Sequence, residues 1–227
     1  MFEKALPVIA LLLLPALASC NSASMPSERI SLDEATQLVR AEIFRDRPAM
    51  NPAAEFPLEE RTTDEIWQRM GAQVFQVTES VAYGQFYITR DGRVEFLGAS
   101  PWGVCAGELD MYVTDLDSNG RPELVYTYET GSGISYAYIA AYSGDWPEPV
   151  SRVPMMNMSG GRVVIDRTSD QEVHVQMAYY DFVAQEPVVT STLLLGQVEL
   201  EQTGGQPRLV LRLENDLPVG VELMAGE

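Results

Sequence analysis

Two periodicities divide this chain. Ile30-Ser31-Leu32-Asp33-Glu34 predicts a helix start, because Ser31 can cap the first turn and Glu34 completes a capping box. Leu38, Val39, Ile43 and Phe44 then recur at helical spacing and give a partial apolar face. The segment Arg47–Pro57 carries Pro48, Pro52 and Pro57 and reads as loop. Thr63-Asp64 opens a second short helix through Trp67 and Met70, and Gly71 ends it.

From Val74 onward the pattern shifts to period two. Val74–Val77 and Tyr83–Thr89 read as strands, and Arg90-Asp91-Gly92-Arg93 as a hairpin turn into Val94–Phe96. Leu109–Thr114 alternates towards an Asp-rich stretch. Leu124–Tyr128 and Ile134–Tyr142 flank the turn Thr130–Gly133. Further hairpins pair Arg162–Arg167 with Glu172–Tyr180 across Thr168–Asp170, and Val188–Glu201 with Pro207–Leu213 across Thr203–Gly205. Dense antiparallel hairpins predict a single, mainly β domain over residues 30–227, either a sandwich or a propeller-like fragment, with a small helical part at 30–71. The Asp-rich motif occurs once, so a closed propeller of matching blades is not expected.

The beginning of the chain has its own pattern. Leu6–Leu17 is apolar but interrupted by Pro7 and Pro15, too short for a spanning helix, which needs about 20 apolar residues. Behind Lys4 and before the small residues Ala18 and Ser19, it reads as a secretory signal over residues 1–19. Leu17-Ala18-Ser19-Cys20 resembles the lipobox of bacterial lipoproteins. That resemblance implies cleavage before Cys20, acylation of its thiol and a membrane partner reached through the acyl chains. Asn21 after the cysteine then implies sorting to an outer membrane, where the organism has one. Residues 20–29, with the small polar run Asn21–Glu28, read as a tether. The expected location is the bacterial cell envelope, lipid-anchored and extracytoplasmic.

Composition narrows the function. The formal net charge is -18, which rules against nucleic acid as a partner and favours cations. Lys4 is the only lysine, so a mature chain has none for Schiff-base or P-loop chemistry. His174 is the only histidine, which rules against the usual His-based zinc site. With Cys20 acylated, Cys105 has no intrachain disulfide partner. Gly-x-Ser-x-Gly is absent. A non-enzymatic binding or scaffold role, with an envelope protein or glycan as partner, is therefore expected. The alternative is a carboxylate-based hydrolase of envelope glycans, using a pair such as Glu108 and Asp110.

The richest stretch is Asp115–Val125, DLDSNGRPELV. Asp115, Asp117 and Asn119 put oxygen side chains at alternate positions, and Gly120 permits a sharp turn. Calcium takes about six to eight oxygens. Asp115, Asp117, Asn119, the carbonyl of Arg121 and Glu123 could supply five of its ligands, with water for the rest. The flanking strands, and Tyr126 where an EF-hand would need Glu, exclude an EF-hand. Asp and Asn also build plain Asx-turns. Carboxylates crowded this closely repel one another without a cation, which favours calcium. The stretch resembles the calcium loops of FG-GAP and VCBS-type repeats, which also occur in integrin α-subunit propellers. Asp115, Asp117, Asn119, Gly120 and Glu123 match, and Leu124-Val125 follow. The resemblance implies that the acidic and amide residues are calcium ligands and that the ion is structural.

Three weaker features have bland explanations. Tyr126, Tyr128, Tyr136, Tyr138 and Tyr142 could stack on a sugar, but cross-strand packing accounts for them more simply. Met155, Met156 and Met158 could hold Cu(I), but adaptable packing suits them better. His174 alternates against Val173, Val175 and Met177 and belongs on a polar strand face.

Overall fold

A computed structural model describes residues 28–212, apart from 50, 52, 54, 79–83, 100–109, 131–134, 147–148, 158–160, 182–185, 189–193 and 204–205. The signal, Cys20, most of the tether, Cys105 and Glu108 lie outside the described residues.

Helix α1 spans Leu32–Asp46, and the Ser31 hydroxyl accepts the Glu34 N–H at 3.2 Å. Strand β1 (Leu58–Glu60) follows, then α2 (Asp64–Met70). Thr63 caps α2, and Gly71 closes it at φ 61°, a left-handed conformation that glycine adopts without a Cβ clash. Strands β2 (Gln73–Val77), β3 (Gln85–Arg90) and β4 (Arg93–Ala99) complete a first antiparallel sheet with β1. The β3–β4 turn has positive φ at both Asp91 and Gly92, as a two-residue type I′ hairpin requires.

The second sheet is a meander of β5 (Met111–Thr114), β6 (Glu123–Thr130), β7 (Ser135–Tyr142) and β8 (Val150–Asn157). The third contains β9 (Gly161–Ser169), β10 (Glu172–Asp181), β11 (Glu186–Val188), β12 (Leu194–Thr203) and β13 (Gln206–Arg212). In it β10 pairs with β9, β11 and β12, and β12 with β13. The molecule is mainly β, and among the described residues no barrel or propeller is closed. None of its described helices is long and apolar enough to cross a membrane.

Three apolar layers hold these elements together. Ala35, Val39 and Ile43 of α1 pack on Phe75, Val77 and Tyr87 of the first sheet. The other face of that sheet, with Val74, Phe86, Ile88 and Leu97, meets Leu124, Tyr126 and Tyr128. Val125, Ile139 and Ala141 face Ile165, Val173, Val175 and Val198 of the third sheet. Strand β6 therefore buries both faces, its even positions against one neighbour and Val125 against the other. Each large apolar side chain so buried contributes about 1.5–3 kcal/mol.

The sequence pattern did not reveal β1 or β8. β8 contains Pro154, which reads as a strand breaker, yet β8 pairs only with β7 within its sheet, and an edge strand tolerates a residue lacking an N–H. Of the expected strand Val188–Glu201, Val188 ends β11 and Leu194–Glu201 belong to β12, and residues 189–193 lie outside the described residues.

The tyrosines account for part of the core. Tyr126, Tyr128 and Tyr142 are buried, and Tyr128 stacks on Tyr138 with centroids 4.7 Å apart and planes at 4°. These three rings are closed to sugars and pack the core, while the side chain of Tyr136 lies outside the described residues. Tyr128 lies directly against Gly98, where an added Cβ would collide with its ring. Gly98→Ala is expected to destabilise the fold by about 1–3 kcal/mol through overpacking. Urea unfolding checks this, and an unchanged midpoint would contradict the close approach.

Candidate functional site

The Asp-rich loop joins β5 to β6, so two paired strands hold its ends: Thr114 lies opposite Glu123. Ser118 at φ 58° and Gly120 at φ 82° let the chain reverse sharply between them. Asp115 organises the turn. Its Oδ1 accepts the Asn119 N–H at 3.0 Å and its Oδ2 the Gly120 N–H at 2.9 Å. Asp117 Oδ1 accepts the Asn119 N–H at 3.2 Å, and its Oδ2 accepts from Asn119 Nδ2 at 2.9 Å.

Of the five expected ligands, the structure brings three carboxylates together. One oxygen each from Asp115, Asp117 and Glu123 lie within 4.8 Å of one another. Oxygens sharing one calcium at about 2.3–2.6 Å can be no more than roughly 5 Å apart, so this spacing fits a single ion. The N–H bonds to these carboxylates do not exhaust their lone pairs. Asn119 sits differently, because its Oδ1 accepts the Arg121 N–H at 2.7 Å while its amino group faces Asp117. Arg121 turns its guanidinium outward to Asp145 at 2.7 Å. The loop is thus fully organised as a set of Asx-type turns and also gathers carboxylates in a geometry that suits a cation.

Glu123 is the unusual member, a carboxylate only 1% exposed at the start of the central strand. Its Oε2 accepts the Leu116 N–H at 3.0 Å. Burial pushes its pKa up from 4.5 to about 7; the Leu116 N–H opposes that shift, and the Asp117 and Asp115 charges add to it. Its position in DLDSNGRPELV marked it as a ligand, but its burial is a product of the sheet stacking.

The other candidates stand apart. His174 lies half-buried on β10 between the buried Val173 and Val175, with Nε2 2.7 Å from Glu172 Oε1. Glu108 lies outside the described residues, so no separation from Asp110 is defined. Met158 is outside as well, and only the backbone of Met155 and Met156 is described. One set of residues was not recognised from sequence: Asp170, Arg69 and Arg167, which surround the start of the loop. Their partners at the start of the loop lie 44 to 56 residues away, and no local pattern signals them.

The raised Glu123 pKa sets a pH dependence for the metal-free protein. Between pH 4.5 and about 7 the folded state holds a proton that the unfolded state has released, so stability falls as pH rises through this window. The full penalty, roughly 3 kcal/mol, applies above pH 7. Glu123→Gln is expected to flatten this slope and to raise stability in EGTA at pH 7.5. Urea unfolding across pH 5–8 checks it; an unaltered slope would place the effect elsewhere. Comparison with protein-family models, curated proteins and solved structures finds no match to this chain.

Proposed function

We propose that this is a lipid-anchored protein of the bacterial cell envelope, held through Cys20, whose β body binds calcium in the Asp115–Glu123 loop and serves a non-enzymatic binding or scaffold role. The observation that carries the calcium reading is the convergence of Asp115, Asp117 and Glu123 within 4.8 Å, one of them buried. A buried carboxylate beside two others is costly while all are charged, and a divalent cation removes that cost. The matches to FG-GAP and VCBS loops at Asp115, Asp117, Asn119, Gly120 and Glu123 add to it. The anchor reading rests on the apolar run and on Leu17-Ala18-Ser19-Cys20. On this reading the ion is structural: it joins the ends of β5 and β6 and stiffens the middle sheet. The partner recognised by the body is an envelope protein or glycan.

Thermal unfolding with calcium, magnesium or EGTA tests the ion. A ligand that binds only the folded state stabilises it by about 2.7 kcal/mol at a hundred times Kd. Calcium is expected to raise the Tm, with magnesium doing less and Asp115→Ala/Asp117→Ala abolishing the rise. No rise at millimolar calcium would leave the loop as a turn. For the anchor, Cys20→Ser is expected to move the protein from the membrane fraction to the soluble envelope fraction. Retention of that variant in the membrane would refute acylation at this residue as the attachment.

A further inference from the structure

We propose that two arginines and the β9–β10 turn form a hub that couples the acidic loop to α2 and the third sheet, so that order in the loop and order in the turn change together. Val113, Thr114 and Asp115 lead into the loop, and each is held by partners distant in sequence. The Val113 carbonyl accepts from Arg69 Nη1 at 2.7 Å and from Arg167 Nη1 at 2.6 Å. The Thr114 hydroxyl donates to the Asp170 carbonyl. The Asp115 N–H donates to the same carbonyl at 2.9 Å.

Two guanidinium groups on one carbonyl oxygen repel each other unless anions accompany them. Glu65 supplies one, meeting Arg69 at 3.0 Å and pairing also with Arg167. Asp170 supplies the other, its carboxylate 3.2 Å from Arg69. Helix α2, strand β5 and the β9–β10 turn therefore meet in one charge-assisted knot, the stronger class of protein hydrogen bond. Asp115 joins the knot to the loop. Its backbone N–H is held by Asp170, while its carboxylate holds the N–H groups of Asn119 and Gly120. A shift of Asp115 strains both sets of bonds, and such coupling acts equally in both directions.

Amide hydrogen exchange on the full chain tests the hub without any ion. In EGTA, Asp115→Ala is expected to speed exchange in the turn segment 168–172 about tenfold or more, while 73–77 in the first sheet stays unchanged. In the reverse direction, Arg69→Ala is expected to speed the Asn119 and Gly120 amides by a similar factor. Arg69→Lys, which keeps one charged donor, should restore part of their protection and serves if Arg69→Ala fails to fold. Changes confined to the mutated element in either direction would overturn the coupling. A calcium arm rests on the proposed ion site and separates the two ideas. Calcium protecting both loop and turn supports coupling. Protection of the loop alone overturns coupling and keeps the ion. Protection of neither, with the Asp115→Ala effect present, rejects the ion and leaves the hub standing.

Discussion

The fold depends on the double burial of β6. Leu124, Tyr126 and Tyr128 face the first sheet while Val125 faces the third, so one strand belongs to two cores. A slip of one residue would exchange these sets and mismatch both layers together. That constraint fixes the register with β5 and β7, and with it the geometry of the loop that enters β6 at Glu123. The stacked tyrosines add to the specification, because Tyr128 fits only against a residue without a Cβ at position 98.

The chemistry of the loop follows from this architecture. A strand buried on both faces buries its first residue too, and here that residue is a glutamate. The backbone N–H of Leu116 satisfies part of its carboxylate, and two aspartates lie close by. The energetic conflict between burial and charge is thus built where the loop meets the core. Protonation relieves it, as a bound cation would, and the two have opposite dependence on pH. The start of the loop is hydrogen-bonded to Asp170, Arg69 and Arg167, which leaves a polar loop anchored at both ends on a chain of strong negative charge.

Much of this was legible in the sequence because it is local. Caps at Ser31 and Thr63, the stop at Gly71 and the turn at Asp91-Gly92 each rest on interactions spanning a few residues. The acidic loop was legible for the same reason: alternating oxygens and a glycine define it within one stretch. β8 carries Pro154, and a proline within a strand is admissible only where that strand lies at the edge of its sheet, which local sequence does not reveal. Cross-strand packing of Tyr126 and Tyr128 follows from strand pairing, but alternation alone does not say which layer buries each face.

The sequence by itself determined the mainly β class, most strand positions, the acidic loop and its candidate ligands, since residue type and spacing act over short range. Tertiary structure alone decided that the second sheet lies between two others, that Asp115, Asp117 and Glu123 converge while Asn119 turns its oxygen to Arg121, and that Arg69, Arg167 and Asp170 grip the start of the loop. The physical reason is separation along the chain. Periodicity says that a face must be buried, but only the packed layers say against what, and therefore which charges end up side by side.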